Sequence, residues 1–219
     1  MYKVDLHTHS SASNDGSIQP EQYETVLESS ALDYVAITDH NRIDAATALQ
    51  RRLGDRIIVG EEISTTEGDL IGLFLTDVVE PYQTPTEAIA AIKAQGGLVY
   101  IPHPFETVRK GMQQKTLEAL VDDIDIFEIH NGRAMVQNRS QKAIVWATMH
   151  HKARAASSDA HGAKGLSKTY SLLAKPPTRQ NLVEQLEKAQ FIVGRPPLKT
   201  LLYPKMNRAR KHVRKYRSS

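Results

Sequence analysis

Short apolar runs alternate with helical patterns along most of this chain. Seven runs have the composition of β-strands: YKVDL, DYVAIT, RIIVG, LIGLFL, GLVYIP, IDIFEI and ARAASS. Between several of them lie the helical patterns PEQYETVLESS, DAATALQRRLG, TPTEAIAAIKAQGG and QNRSQKAIVWATMHH. Strands that alternate with helices predict βα units and a mostly parallel sheet. We therefore expect an α/β protein, and seven strands suit a barrel or a doubly wound sheet equally well.

The third helical pattern has the clearest boundaries. Thr84 or Thr86 can cap its N-terminus, and Ile89 and Ile92 fall on one face. The pair Gly96–Gly97 is expected to end the helix before the strand LVYIP.

Composition narrows the chemistry that is available. The chain has 219 residues and no cysteine, so disulfides and thiolate metal sites are excluded. His, Asp and Glu are the remaining side chains that commonly bind metals. No secretory signal is visible at the N-terminus, and no apolar stretch is long enough to cross a membrane. We expect a soluble cytoplasmic protein without a membrane-bound part.

The positive charge is concentrated at the C-terminal end. Residues 204–219 carry seven Lys or Arg and no acidic residue, whereas all 25 acidic residues precede them. The sequence therefore predicts a single domain over residues 1–203 and a basic C-terminal tail over residues 204–219. Such a tail is expected to be solvated and partly disordered, and it could also contact nucleic acid or another polyanion.

Histidines and carboxylates follow the predicted strands. In parallel α/β folds the C-terminal ends of the strands meet at one face, where active sites form. A single histidine there would carry little weight, but their coincidence with carboxylates at strand ends predicts a metal site. The residues at these ends are His7, His9, His40, Glu61, Glu62, His103 and His161.

The spacing of His7 and His9 has a physical reason. Residues i and i+2 of an extended strand point to the same side, so both imidazoles can reach one ion while Thr8 points away. Imidazoles with added carboxylates suit Zn, Mn or Fe. The number of candidate ligands exceeds the four of a closed structural zinc site and indicates two or three divalent ions.

The motifs, in this order, resemble those of the PHP family, named for polymerases and histidinol phosphatase. They are DLHTHSSASNDG, AITDHN, VGEEIST, IPHPF and SSDAHG, and the resemblance extends from about Met1 to Ala174. It is strongest to the stand-alone metal-dependent phosphoesterases. The resemblance implies a distorted (β/α)7 barrel with two or three metal ions at its C-terminal face.

The resemblance also implies a set of metal ligands. Glu62 is preferred to Glu61 because the family pattern is G-x-E, and Asp69 stands where many relatives have a histidine. The expected ligands are His7, His9, Asp15, His40, Glu62, Asp69, His103, Asp159 and His161.

The implied reaction is hydrolysis of a phosphate ester, either of a small phosphorylated metabolite or of a nucleotide. A metal-activated hydroxide would attack phosphorus directly. Asp159, His161 or His40 could protonate the leaving group, and the sequence does not choose between them. Arg109, Arg133 and His130 are the expected substrate contacts, because guanidinium groups bind phosphate in a bidentate manner and His130 follows a strand.

Two alternatives remain open from the sequence. A metal-dependent nuclease, or a PHP module associated with nucleic acid, would use the basic tail to bind the polyanion. An amidohydrolase also begins with H-x-H after a first barrel strand. The early TDH and the late SDAH fit that superfamily less well.

Overall fold

The structure is a computed structural model that describes residues 1–134 and 140–217. Within these residues it has nine β-strands: Tyr2–Asp5 (β1), Tyr34–Ile37 (β2), Ile57–Thr65 (β3), Gly68–Leu73 (β4), Leu98–Ile101 (β5), Ile126–Asn131 (β6), Ala153–Ser157 (β7), Thr169–Leu173 (β8) and Gln190–Val193 (β9). The same residues contain seven α-helices: Pro20–Glu28 (α1), Asp44–Leu53 (α2), Pro85–Ala94 (α3), Gln114–Ala119 (α4), Ser140–Met149 (α5), Leu182–Glu187 (α6) and Tyr203–Arg217 (α7).

The described strands form one sheet in the order β7-β6-β5-β4-β3-β2-β1-β8-β9. The pairs β1–β2, β2–β3, β5–β6 and β6–β7 are parallel. Strand β4 is antiparallel to both of its neighbours, and β8 is antiparallel to β1 and β9. Seven of the nine described strands therefore run in one direction, and β4 and β8 run in the opposite direction.

The two ends of the parallel set approach each other and nearly close the sheet into a barrel. The hydroxyl of Ser171 in β8 accepts a hydrogen bond from the backbone N of Ala156 in β7 at 3.0 Å. The segment after β1 also pairs directly with the segment after β7. Asp159 N donates to His7 O and His9 N donates to Ala160 O, both at 2.9 Å. This closure confirms the predicted distorted barrel and aligns the chain after β1 with the chain after β7.

Alternate residues of the strands belong to two apolar clusters. In β2, Val35 and Ile37 lie in the larger cluster together with Leu27 of α1 and Leu49 of α2. Ala36, between them, lies in the smaller cluster. The alternation follows the two-residue period of a strand, so one face of the sheet packs against helices such as α1 and α2, and the other face packs against Leu182 and Leu186 of α6.

The predicted elements are largely present. All seven predicted strands occur as β1–β7, and the predicted helices occur as α1, α2, α3 and α5. Thr84 caps α3, since its side chain accepts a hydrogen bond from Glu87 N, and Gly96 follows the helix with a φ of 69°. The first three residues of the fourth predicted helix, 137–139, lie outside the described residues.

Several elements were not expected from the sequence. Strands β8 and β9 and helices α4 and α6 are short, and their apolar patterns are weak. Strands β3 and β4 are joined by a tight turn at Thr66 and Glu67 instead of a helix, and this makes them an antiparallel hairpin.

The basic C-terminal segment is helical over residues 204–217. Most of the described side chains from 205 to 213 are exposed, as expected of a solvated segment, but the backbone is helical where partial disorder was expected. Asn207 of α7 is only 5% exposed and donates hydrogen bonds to the backbone O of Asp15 and His161. Because these acceptors hold the helix against the barrel, a highly charged sequence is ordered here.

Among the described residues, no helix combines the length and the apolar character needed to cross a lipid bilayer.

Candidate metal centre

The predicted site residues lie beyond or near the C-terminal ends of the parallel strands. His7 and His9 follow β1, His40 follows β2, and Glu62 lies in β3. Isolated parallel bridges join His40 to Glu62 and Thr8 to Ala160. The ladders of the sheet therefore continue into the segments that carry the site and fix their side chains.

His7 and His9 point to the same side, as the spacing predicts. Their Nε2 atoms lie 3.1 Å apart, and both side chains are fully buried. Thr8 faces the other way, where its hydroxyl donates to Ala36 O at 2.7 Å. The alternation of the extended chain therefore places two imidazoles side by side.

Three adjoining groups of side chains could each hold an ion. Within each group, one potential ligand atom per residue lies within 4.8 Å of the others. His7 and His9 each belong to two groups, so the groups are contiguous. They are His9, Asp15, His40 and His161; His7, Glu62 and His103; and His7, His9 and Asp159. The structure thus brings together eight of the nine predicted ligands.

Glu62 lies at the centre of these groups. Its Oε2 is 3.3 Å from His7 Nε2 and 3.1 Å from His9 Nε2, and its Oε1 is 2.9 Å from His103 Nε2. Glu61 points away from them, and its Oε2 accepts a hydrogen bond from Val79 N. This geometry agrees with the choice of Glu62 as the bridging carboxylate.

Asp69, the ninth predicted ligand, lies on the cavity wall outside the three groups. It is 4% exposed, and its Oδ1 has no hydrogen-bond partner among the described residues. Burial, together with the charge of Glu62, raises the pKa of Asp69 to about 6. The structure therefore places Asp69 beside the centre, and its role as a ligand stays a prediction.

Asp159 joins the imidazoles to two arginines. Its Oδ1 is 3.5 Å from His9 Nε2, while its Oδ2 accepts hydrogen bonds from Arg109 Nη1 at 2.6 Å and Arg133 Nη1 at 3.2 Å. Burial would raise the pKa of Asp159, but Arg133 and His7 outweigh burial and hold the pKa well below its ordinary value. Asp159 is therefore a fixed anion.

The arginines predicted to bind substrate do reach the site. Arg109 and Arg133 line a cavity of about 370 Å³ that also contains His40, Glu62 and Asp159. Arg109 is further held by Glu106, whose carboxylate accepts from its Nε at 2.7 Å. Both cations are thus fixed next to the potential metal ligands.

His130 does not line that cavity. It is half-buried, and its ring packs against Phe191 of β9 with the ring centroids 6.3 Å apart. A bulge in β6 between Glu128 and His130 changes the register with β7. The structure therefore does not support His130 as a substrate contact.

Glu128 is a buried carboxylate that the sequence analysis did not select. It accepts hydrogen bonds from the hydroxyl of Tyr100 at 2.8 Å and from the backbone N of His103 at 2.6 Å, and it lies 3.1 Å from His7 Nδ1. The only signal in the sequence was one of the two acidic residues, Asp125 and Glu128, within the apolar run IDIFEI. Its partners are far from it in sequence, so the run alone could not reveal its role.

Two further aspartates support the loops of the site. Asp39 accepts hydrogen bonds from the backbone N of Ser10 at 2.6 Å and from its hydroxyl at 2.5 Å. Asp5 accepts from the backbone N of Ser158 at 3.0 Å, and burial raises its pKa to about 7. These contacts tie the chain after β1 to the chains after β2 and β7.

The imidazoles differ strongly in basicity. Burial lowers the pKa of His9, but Asp159 and Glu62 outweigh it and raise the pKa to about 9. At His161, burial and the nearby cations His9 and Arg133 lower the pKa to about 3. The carboxylates therefore favour positive charge beside His9, and a divalent cation can supply that charge.

The donor set fits divalent metal ions. The Nε2 atoms of His7 and His9 face each other and Glu62 Oε2, so three electron-rich atoms converge on one place. The Nδ1 atoms of His9 and His103 are buried without hydrogen-bond partners among the described residues. Imidazole nitrogens with carboxylate oxygens suit Zn, Mn or Fe, and close groups suit more than one ion.

Two sequence relatives come from the archaeon Methanocaldococcus jannaschii. The chain is 31% identical to the uncharacterized protein MJ1587 over 156 residues, which are 65% of this chain and 91% of that protein. It is 34% identical to the uncharacterized protein MJ0417 over 166 residues, 73% of this chain and 65% of that protein. No family model matches the chain.

Solved structures share the fold at low sequence identity. A two-domain protein of Bacteroides vulgatus, containing a predicted PHP-like metal-dependent phosphoesterase, superimposes with a TM-score of 0.71 at 19% identity over 88% of this chain. The chain spans 65% of that protein. PsfC of Pseudomonas syringae superimposes with a TM-score of 0.65 at 15% identity, and the match covers 97% of this chain and 98% of the PsfC chain.

A third solved structure is an amidohydrolase of Chromobacterium violaceum with bound sulfate and no metal. Its TM-score is 0.57 at 16% identity, and the match covers 73% of this chain and 87% of that chain.

The present chain belongs to the same family as MJ1587, to which it is 31% identical. Its fold is the PHP-type barrel that its motifs predict.

Proposed function

We propose that the protein is a metal-dependent phosphoesterase that hydrolyses the phosphate ester of a small phosphorylated metabolite or a nucleotide. The observation that carries this proposal is the position of two fixed arginines, Arg109 and Arg133, beside three contiguous groups of potential metal ligands. Cations and metal ligands in one cavity suit a substrate whose reacting group is an anion.

The proposed ligands are the eight residues of the three groups, with Asp69 as a ninth beside them. Two or three divalent ions bound there, of Zn, Mn or Fe, would supply Lewis acidity at the phosphoryl oxygens and lower the pKa of coordinated water. Arg109 already donates through Nε and Nη2 to Glu106 and through Nη1 to Asn131 and Asp159, so it would contribute mainly its positive charge. Arg133, which contacts Asp159 through Nη1, is better suited to orient a phosphate at the proposed metal ions.

The proton for the leaving group can come from three predicted residues. Asp159 is paired with two arginines, which favours a role as a ligand over a role as an acid. The side chain of His40 is 28% exposed, whereas that of His161 is 2% exposed. Its greater exposure favours His40 over His161 as the proton donor, and in that role His40 would not also bind a metal ion.

The first experiment combines metal analysis with substrate screening. The purified protein is loaded separately with Mn²⁺, Zn²⁺ or Fe²⁺, its metal content is measured, and turnover of p-nitrophenyl phosphate, bis(p-nitrophenyl) phosphate and p-nitroacetanilide is followed. We expect bound metal and release of p-nitrophenol from a phosphate ester. Turnover of the anilide alone would support an amidohydrolase and contradict the proposal, as would a protein that binds none of these metals.

A nuclease or a nucleic-acid-associated module is the second candidate. Arg208 of the basic helix α7 lines the same cavity, so the helix leads from the surface to the site. Because α7 also contacts the site loops, removal of residues 204–219 would change more than charge. Replacing the exposed Lys205 and Arg210 by Ala is the cleaner test. Weaker binding of single-stranded DNA with unchanged turnover of p-nitrophenyl phosphate would support docking of nucleic acid through α7.

A further inference from the structure

Helix α7 contacts the backbone of two potential metal ligands at once. The side-chain amide of Asn207 donates to Asp15 O at 2.7 Å and to His161 O at 3.2 Å. Asp15 and His161 belong to the same group as His9 and His40, although they are far apart in sequence. A buried amide therefore joins two loops whose side chains converge on one place.

A second anchor of α7 acts on the loop that carries Asp15. The ammonium group of Lys211 donates to Ser11 O at 2.7 Å and also to Ser13 O. The hydroxyl of Ser13 in turn donates to Asp15 Oδ1 at 2.9 Å. Lys211 and Asn207 are four residues apart, so they lie on one face of the helix and hold the same loop.

The close approach of the helix requires space beside His161. An added Cβ at Gly162 would lie 2.5 Å from two ring carbons of Tyr203, the first residue of α7. Gly162 has a φ of −171°, which any residue adopts, so its contribution is the space it leaves. The residue after His161 thus lets α7 reach the site.

The contact positions one group more than the others. Asp15 Oδ2 lies 3.5 Å from His40 Nε2 and 3.4 Å from His161 Nε2. Glu62 and His103 are held instead by the sheet and by Glu128. Loss of the Asn207 amide would therefore loosen the group containing Asp15 and leave the group containing Glu62 in place.

We propose that Asn207 is a positioning residue of the metal centre. By joining the Asp15 and His161 carbonyls, its amide sets the distance between two ligand side chains and so slows release of the ion bound by them. The inference rests on the proposed function only in that this group binds a divalent ion. According to this proposal, α7 supports the metal centre through Asn207.

The test uses the full chain loaded with Mn²⁺. Asn207→Leu keeps the branched shape and the number of side-chain heavy atoms and removes both donors, and Arg210→Ala on the exposed part of α7 is the matched control. Metal equivalents per chain are measured by mass spectrometry, and release to a chelator is followed in time. For Asn207→Leu we expect one equivalent to be bound about 10- to 100-fold more weakly and released faster, as for other supporting contacts to metal ligands. The remaining equivalents and the Arg210→Ala variant should match the wild type.

The outcomes separate this inference from the proposed function. Wild-type protein that binds no Mn²⁺, Zn²⁺ or Fe²⁺ contradicts both, whereas wild-type binding with identical release from Asn207→Leu contradicts only the positioning role. If Asn207→Leu releases every bound metal equivalent faster by the same factor, the positioning role is also contradicted, because a general loosening of the fold would have that effect. If Asn207→Leu does not fold, the smaller Asn207→Ala replaces it, and unchanged release of all equivalents from that variant overturns the inference.

Discussion

Glu128 lies 3.1 Å from Nδ1 of His7, and both side chains are fully buried. Burial raises the pKa of Glu128, but His7 and His103 outweigh burial and hold the pKa below its ordinary value, so Glu128 is an anion that can only accept. Nδ1 of His7 is therefore the donor. This contact orients the ring and leaves Nε2 directed at His9 and Glu62, where a cation can bind.

We predict that Glu128→Gln weakens metal binding by about 10- to 100-fold, because the anion that orients His7 is lost. The measurement is titration of the metal-free variant with Mn²⁺ or Zn²⁺. Tyr100→Phe is the control, since it removes one donor to Glu128 and keeps its charge. Equal affinity of Glu128→Gln and the wild type would show that His7 is oriented by other contacts.

We predict that His9→Ala abolishes phosphate-ester hydrolysis and lowers the metal content, because His9 belongs to two of the three ligand groups. Addition of metal should also raise the melting temperature of the wild type more than that of the variant. His151→Asn is the control, since Asn tolerates the positive φ of this exposed position. Full activity with full metal content in His9→Ala would contradict the ligand assignment.

We predict that Arg109→Ala lowers kcat/KM for p-nitrophenyl phosphate by about 10- to 100-fold, equivalent to about 1.4 to 2.7 kcal/mol. The loss has two sources: a cation leaves the cavity wall, and Asp159 loses a hydrogen-bond donor at 2.6 Å. Arg52→Ala is the control, since Arg52 pairs with Glu24 at the exposed surface. An unchanged kcat/KM would exclude Arg109 from substrate binding.

We predict that Glu61 makes the folded state less stable as the pH rises. Burial raises the pKa of its carboxyl from 4.5 to about 7, so the folded chain holds this proton more tightly than the unfolded chain. The proton on Glu61 contributes fully to the free energy of unfolding below pH 4.5. This contribution is lost as the pH rises toward 7, at about 1.4 kcal/mol per pH unit.

Glu61→Gln should remove that dependence and keep an acceptor for Val79 N. The free energy of unfolding by urea is measured for both proteins at pH 5 and pH 7. Relative to the wild type, we expect the variant to have a higher free energy of unfolding at pH 7 than at pH 5. Glu28→Gln is the exposed control, whereas Glu80 is unsuitable because its charge contributes to the raised pKa of Glu61. The same difference between variant and wild type at both pH values would show that Glu61 is ionised in the folded state.

The strand-end motifs predicted much of the centre. His7 and His9 have a local reason to point together, because the alternation of a strand requires only three residues. The choice between Glu61 and Glu62 follows from the same alternation once the family pattern is known, and the structure agrees with it. Both interpretations depend on short-range geometry that a sequence displays directly.

Other assignments required contacts between distant segments. In the sequence, Glu128 is only an acidic residue in an apolar strand. Its role becomes visible in the structure, where Tyr100 and His103 donate hydrogen bonds to it. His130 lies in the same strand, yet after the bulge its ring packs against Phe191 instead of lining the cavity. A bulge depends on pairing with β7, which the strand's own residues do not reveal.

The sequence by itself determined the alternation of strands and helices, the absence of thiolate ligands and the positions of the histidines along the chain, because each is a local or compositional property. Only the tertiary structure decided that the basic C-terminal segment is a helix in contact with the site. Its charges predict a solvated end, but the carbonyl acceptors that order it belong to residues near Asp15 and His161. Barrel closure brings those residues together, and the free energy of such contacts depends on three-dimensional proximity.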